Sequence, residues 1–402
     1  MRIGIIKEGK NPPDERVPFT PEQCRLIQAR YPQIELFVQR SPVRTYADEA
    51  YAAHGVVLVD DLSEVDVIFG VKEVQLEDLI ADKTYFFFSH TIKKQPYNRK
   101  LLQTVLERRI KLVDYECLTS TRGHRLLGFG RYAGIVGAYN AFLAYGKRSG
   151  AYELKPAYKC HDRKEMESYL GRIKLPRDFK IVMSGTGRVA GGVMEIIDKM
   201  GIQKVSPKEF LEKNFNHPVI SQLSVEDYFR KPDGSSFERE EAFDHPERFE
   251  SDFMKYAKVA DMYITAHFWD ASGPRILTEE NLASTDFTIR TIADISCDIA
   301  GPIASTIRPS TIEKPIYEVN RQTLQEVDEA AEDTITVMAV DNLPCELPKD
   351  ASEDFGEELI KIVLPNLIGS DDKAIIEGGT ITQSGKLMPN FSYLHDYVEG
   401  KK

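Results

Sequence analysis

The chain has 402 residues, 42% of them hydrophobic, and a formal net charge of −11, with a pI near 5.4. That length suits two core-bearing domains, and the mixed, net acidic charge argues against a nucleic-acid or anionic-membrane partner, which needs a basic face. No apolar run approaches the ~20 residues of a membrane span. The opening MRIGIIKEGK becomes charged too soon for a secretory signal and reads as a first β-strand, so a cytoplasmic protein without a membrane partner is expected. The five cysteines (Cys24, Cys117, Cys160, Cys297 and Cys345) are scattered and lack Cys-x-x-Cys spacing. Neither a disulfide framework nor a zinc site follows. The eight histidines show no pair at helical ligand spacing, and all but one read as packing or surface.

In chain order, short apolar or β-branched runs occur at Ile3–Ile6, Leu36–Phe37, Val56–Val59, Val67–Val71, Tyr85–Phe88 and Lys111–Val113. Helical patterns such as Pro21–Ala29 and Asn98–Arg109 lie between them. Strands alternating with helices predict a parallel sheet covered on both faces. Tyr132–Tyr145 (YAGIVGAYNAFLAY) predicts a long apolar helix rich in small residues, a buried spine between domains. A second alternating unit follows: Ile181–Ser184, a helix over 188–200, a short strand Lys204–Ser206, then Asp261–Thr265 and Thr291–Ile295. The polar stretch Ser206–Phe253 is expected to form helices and loops projecting from that second sheet. Ser352–Leu367 is helical in pattern. The expected fold is α/β: two doubly wound Rossmann-like domains with an inter-domain cleft. Their expected bounds are 1–130, completed by 345–402 if the last segment rejoins the first domain, and 131–344.

The strongest local signal is Lys180–Met194, KIVMSGTGRVAGGVM. A strand enters a Gly-x-Gly turn and a helix leaves it. Gly185 permits the turn, Gly187 lets backbone approach a pyrophosphate, and Ala190 is small enough for close helix–strand packing. Thr186, Arg188 and Val189 complete the turn, and amides at the helix start face the anion. The motif predicts dinucleotide binding.

In the first half, polar residues follow strand-like runs. Lys72 and Glu73 follow Val67–Val71, His90 follows YFFFS, Glu116 follows KLVDY, and Arg16 lies in the loop after the first strand. Strand ends of a parallel sheet converge on one edge, so these groups can share a pocket. In the second half Asp294 ends TIAD, and Asp341 opens the turn DNLPCELP. Arg122, His124 and Arg125 precede the long helix; arginines there can hold carboxylates by forked hydrogen bonds. No Gly-x-Ser-x-Gly elbow appears, so acyl hydrolysis has no support.

KEGKNPPDERVPFTP, GVKE, FSH and DYECL resemble the alanine dehydrogenase/transhydrogenase-like N-terminal domain. With GHRLLGFGRYAG, GTGRVAGG, DHPERFES, ADISCDIAGPIAST and VDNLPCELPKDASEDFG, the chain resembles lysine-forming saccharopine dehydrogenase. It is most similar to the lysine–2-oxoglutarate reductase half of the bifunctional lysine-degrading enzyme, over roughly residues 3–365. The resemblance implies a reversible reaction in which L-lysine and 2-oxoglutarate condense to an imine and a nicotinamide cofactor reduces it to saccharopine. It also implies acid–base roles for Lys72 and His90, and substrate-carboxylate contacts for Arg16 and Arg125. Glu73 and Glu116 become neighbouring acidic residues, and Asp294 a position beside the nicotinamide. An acidic residue normally closes the second strand of an NAD site about 20 residues past the glycines. Here that stretch, GIQKVSPKEF, offers Ser206 and Lys208, with Glu209 late. The cofactor is therefore expected to be NADP or NAD, with a lean toward NADP. The competing readings are an alanine-dehydrogenase-like oxidative deaminase and a non-catalytic nucleotide-binding module. Oligomeric state is not legible.

Overall fold

Continuous runs of β-branched and aromatic residues are what a parallel strand needs when both its faces are covered, and they become strands here. The computed structural model describes residues 1–401. Six strands come first: β1 (Arg2–Ile5), β2 (Glu35–Gln39), β3 (Val57–Val59), β4 (Val67–Phe69), β5 (Thr84–Phe87) and β6 (Lys111–Asp114). Ten follow: β7 (Lys180–Ser184), β8 (Gln203–Val205), β9 (Val219–Leu223), β10 (Phe229–Arg230), β11 (Glu250–Ser251), β12 (Met262–Thr265), β13 (Thr291–Asp294), β14 (Ile316–Asn320), β15 (Glu326–Val327) and β16 (Thr334–Met338). The chain closes with β17 (Thr380–Gln383) and β18 (Lys386–Leu387). It divides into two units, Met1–Phe129 with the segment from Pro348 onward, and Gly130–Leu347.

The first unit is built on the sheet β18-β17-β6-β5-β4-β1-β2-β3. β1 to β6 are parallel, and β17 adds an antiparallel strand beside β6. Side chains alternate between faces. Ile3, Ile5, Val67, Phe69, Phe86 and Phe88 enter one core with Phe355, Leu359, Val363 and Leu364. Ile68, Tyr85, Phe87 and Leu112 enter another with Leu101, Leu102 and Val105. The helical pattern predicted at 352–367 is a helix from Pro348 to Glu358, a π-helical turn Leu359–Val363, and a helix Leu364–Ile368. It rejoins the first unit.

The second unit's sheet runs β15-β14-β16-β13-β12-β7-β9-β8, parallel except at β14 and β15. Two expectations change here. The helix expected over Tyr132–Tyr145 runs longer, Gly130–Ser149, and its main packing is on the helix Arg188–Lys199 of this unit. A Cβ at Gly134 would lie 1.9 Å from the Val189 carbonyl oxygen, and one at Gly192 2.0 Å from that of Arg131, so the small residues set how closely these helices cross. The polar stretch 206–253 does not merely project from the sheet: it supplies β9, which pairs directly with β7, and the β10–β11 hairpin. Serine and glutamine within VISQL mask that strand's apolar pattern.

Candidate active site and dinucleotide site

In an open α/β sheet, ligands bind beyond the carboxyl ends of the strands where the strand order reverses. In the first unit that reversal lies between β1 and β4. Leaving β1, the chain presents Glu8, whose half-buried carboxylate accepts the amides of Val71 (2.6 Å) and Lys72 (2.9 Å) just after β4. Burial, with Asp14 nearby, pushes the Glu8 carboxyl up to about 8, against the pull of those amides. The same loop brings Arg16, fully buried and held by Asp14 through Nε (2.9 Å) and Nη2 (2.6 Å). Its guanidinium lies 4.1 Å from the centroid of the Phe129 ring, a stacking that suits arginine more than lysine. Burial opposes ionisation of Asp14, but the Arg16 charge and hydrogen bonds win and hold it at about 2.

Lys72 shares this field. Desolvation, then the charges of Arg16 and Lys10, lower its ammonium pKa, while Asp14 and Glu73 pull it back up. Glu73 accepts from His90 Nδ1 at 2.6 Å and from Lys10 Nζ at 3.2 Å. Burial alone would raise Glu73, but the His90 hydrogen bond and charge, with Lys10, bring it to about 2. An ionised carboxylate on Nδ1 fixes the neutral ring's proton there and leaves the basic lone pair on Nε2. His90 follows β5 with a left-handed φ of +51°, which turns the chain sharply at the strand end.

After β6, Asp114 binds Ser89 and the Glu116 amide (2.7 Å), ordering the turn that carries Glu116. Glu116 pairs with Arg125 at 3.3 Å through Oε1, while its buried Oε2 has no partner. Arg125 lies 5.3 Å over the Phe88 ring, whose other neighbours include His90, stacked at 6.3 Å. The structure thus gathers Arg16, Lys72, Glu73 and His90 into one charged network, and joins Glu116 and Arg125 to it through Phe88. Sequence reading missed Glu8, Lys10, Asp14 and Asp114; Glu8 and Asp114 had a signal, a carboxylate at the end of an apolar strand run.

In the second unit the reversal lies between β7 and β12, and the glycine turn sits there. Gly185 has φ +108°, and a Cβ on it would stand 2.1 Å from the Ala266 carbonyl oxygen. Gly187 caps the helix Arg188–Lys199, and a Cβ on it would meet nothing within 4 Å. Open space before the first amides of a 12-residue helix, with Arg188 and Val189 at its start, fits a pyrophosphate.

Ser206 is placed elsewhere. It follows the edge strand β8, two strands from β7, or ~10 Å at the usual spacing, and its hydroxyl caps the helix Pro207–Glu212 with Glu209. The strand beside β7 is β9, so the ribose-facing position falls at Ser224–Glu226. Ser224 forms a capping box with Asp227. Glu226 meets Arg239 Nε at 3.4 Å, and Arg239 Nη1 reaches Thr186 Oγ1 at 3.4 Å. A cation therefore stands beside the turn, supplied by Arg239 rather than Lys208. Asp294, ending β13, is fully buried. Its Oδ1 accepts from Thr265, Ser296 and the Cys297 amide, and its Oδ2 from Thr306. The bonds from Ser296, Cys297 and Thr306 order the loop 295–306, and the one from Thr265 ties it to β12. His267, beyond β12, is a further residue without a sequence signal: Nδ1 meets Ser184 Oγ at 2.7 Å, and the buried Nε2 has no partner. Among the described residues no group of metal ligands forms, and no helix is long and apolar enough to cross a membrane.

Residues 4–136 match the model of the alanine dehydrogenase/PNT N-terminal domain. The alpha-aminoadipic semialdehyde synthase of Arabidopsis thaliana is 29% identical over 98% of this chain and 41% of its own length. The mitochondrial enzyme of that name from Mus musculus is 28% identical over 100% and 48%. The chain thus spans about half the length of these relatives. A saccharopine dehydrogenase [NAD(+), L-lysine-forming] of Neurospora crassa is 24% identical over 89% of this chain and 88% of its own. In fold, an L-alanine dehydrogenase matches with a TM-score of 0.67 at 15% identity, covering 99% of this chain and all of that one. A transhydrogenase from Sinorhizobium meliloti matches at 0.61 and 13%, over 97% and 100%. Two mostly parallel eight-stranded sheets of Rossmann-like type account for that likeness. The chain is thus similar in sequence to proteins named alpha-aminoadipic semialdehyde synthase and saccharopine dehydrogenase [NAD(+), L-lysine-forming], carries an N-terminal segment matching the alanine dehydrogenase/PNT N-terminal domain, and shares the fold of an L-alanine dehydrogenase.

Proposed function

We propose that this chain is an NAD(P)-linked oxidoreductase of lysine metabolism that forms saccharopine from L-lysine and 2-oxoglutarate, or cleaves it oxidatively, through an imine. The observation that carries the reading is the Lys72–Glu73–His90–Arg16 network at the strand reversal of the first unit, in a chain matching lysine-forming saccharopine dehydrogenases along most of their length. The first unit would bind substrate and move protons, and the second would hold the dinucleotide.

The chemistry follows from the residue types. The ε-amine of lysine adds to the ketone carbon, water leaves, and a C=N bond remains. The amine must be unprotonated to add, and the departing oxygen must gain protons. His90, with Nδ1 tied to Glu73, has Nε2 to take and return a proton. Lys72, its pKa lowered by burial and by Arg16 and Lys10, is suited to accept a proton near neutral pH. Arg16, aligned by Asp14, and Arg125, aligned by Glu116, meet substrate carboxylates. A dinucleotide held by the second unit would supply the hydride for the imine carbon, and a proton delivered to the nitrogen from the Lys72–His90 side would complete the secondary amine. In the second unit Gly185, Thr186, Gly187, Arg188 and Val189 would hold the pyrophosphate. Ser224, Glu226 and Arg239 would face the adenosine ribose, and the nearby cation favours NADP.

The test follows NAD(P)H absorbance with lysine plus 2-oxoglutarate, with pyruvate plus ammonia, and with neither. Turnover with the first pair alone supports the proposal. Turnover with the second supports a deaminase instead, and silence with both, in a chain that binds dinucleotide, supports a binding module.

A further inference from the structure

His267 stands where the second unit's strand order reverses, directly after β12 and against the glycine turn: a Cβ on Gly185 would lie 2.8 Å from the His267 amide nitrogen. The residue is only 9% exposed, and its ring is anchored on one side only. Nδ1 meets Ser184 Oγ at 2.7 Å, and Ser184 Oγ in turn meets the Tyr263 hydroxyl at 2.8 Å. The other nitrogen, Nε2, is a buried polar atom without a partner. Buried polar atoms left unpaired are costly and rare, so each asks for an explanation. Burial lowers the ring's pKa to about 4, against the opposing pull of Asp294, so it is neutral at physiological pH. Ser184 Oγ lies between the Tyr263 hydroxyl and Nδ1; in the arrangement where Ser184 donates to Nδ1, the neutral ring's one proton is on Nε2.

We propose that His267 is a cofactor-binding residue whose Nε2–H donates to an oxygen of the nicotinamide half of the dinucleotide, a ribose hydroxyl or the carboxamide. The assignment rests on the dinucleotide reading above. The side is set by topology: β9, with Ser224 and Glu226, lies on one side of β7, and β12, with His267, on the other. A dinucleotide crossing the turn with its adenosine half toward β9 puts its nicotinamide half toward β12. A neutral donor also suits a ring that alternates between cationic and uncharged forms, because it binds both without charge repulsion. The residue positions the ring; it takes no part in proton transfer.

Two variants separate this role from a structural one. His267→Asn reaches Ser184 but is too short to present a donor at Nε2, whereas His267→Gln places an amide near it. Binding is read by fluorescence titration of NADH and NADPH, and by calorimetry with ADP, which lacks the nicotinamide half. Loss of one neutral hydrogen bond predicts NADH and NADPH Kd values about five- to tenfold higher in His267→Asn. ADP binding should be unchanged, and His267→Gln within about twofold of wild type. Unchanged dinucleotide binding in His267→Asn overturns the assignment, and so does equal weakening of ADP, which would mean the histidine supports the turn as a whole. A wild-type chain that binds ADP but gains nothing from the nicotinamide half overturns it too, while one that binds no nucleotide overturns the dinucleotide reading itself.

Discussion

Replacing Asp14 by asparagine tests the electrostatic frame of the first unit. Asp14 and Arg16 are 2% and 1% exposed and are joined by two hydrogen bonds of 2.9 and 2.6 Å. Asp14 is held at about 2 from an ordinary 3.8, which corresponds to about 2.5 kcal/mol of preference for the ionised form. The asparagine side chain would remove that interaction and leave a guanidinium buried without its carboxylate, a change that costs about 3–5 kcal/mol in buried pairs. The folded pKa is depressed, so the stabilisation is present above pH ~4 and is lost as pH falls through about 2. Urea unfolding of both proteins between about pH 2.5 and 7 is the assay. We expect Asp14→Asn to lose about 3 kcal/mol at neutral pH, with the gap narrowing steadily toward the acid end. Replacing both members of the pair by apolar residues, Asp14→Leu with Arg16→Met, should recover stability relative to Asp14→Asn, since neither charge of the pair is left without the other. A loss under about 1 kcal/mol at neutral pH, the scale of an exposed pair, or a gap that does not change with pH, refutes the reasoning.

If Lys72 has the proposed role, the same frame would set the pH range of turnover. Asp14 raises the Lys72 pKa, so residual activity of Asp14→Asn should show its acidic limb at lower pH than wild type in a kcat/KM profile. Lys72→Met and His90→Gln should each cut kcat by about 10²-fold or more while NAD(P)H titration shows intact cofactor binding; near-normal turnover across pH in either would remove its acid–base role. Gly185→Ala should abolish dinucleotide binding in the same titration, because its methyl would meet the Ala266 carbonyl at 2.1 Å and its φ is +108°. Arg239→Ala should weaken NADPH several-fold more than NADH, and equal effects on both would deny it a role at the 2′-phosphate.

The glycine turn and the strand-end residues were legible because local chemistry dictates them. Gly185 needs a conformation that only glycine adopts readily, and Lys72, His90 and Glu116 each interrupt an apolar run where a strand must stop. Strand order was not legible. Serine and glutamine hid β9 as a strand, and only packing puts Val219–Leu223 beside β7, which is why the expected ribose position fell on Ser206 instead of Ser224–Glu226. His267 was invisible for a similar reason. In TAHFW it is one more histidine, and its burial and tautomer are fixed through Ser184, which lies 83 residues from it and 79 from Tyr263 along the chain. Asp14 was hidden in a loop whose burial comes from elsewhere in the chain.

That loop has a consequence for how the protein is made. The Val17 amide donates to Ser352 Oγ at 2.9 Å, and Gln23 Nε2 to the Glu353 carbonyl at 2.7 Å, so the segment bearing Arg16 is fastened by residues 335 and 330 positions away. β6 likewise gains its neighbour β17 only late in synthesis. On the ribosome, Gly130–Leu347 has all its own strands before the first unit has its last helix and edge strand. A fragment ending at Leu347 should therefore show protease protection in the second unit while Lys72 and His90 remain in an unfinished, cleavable sheet.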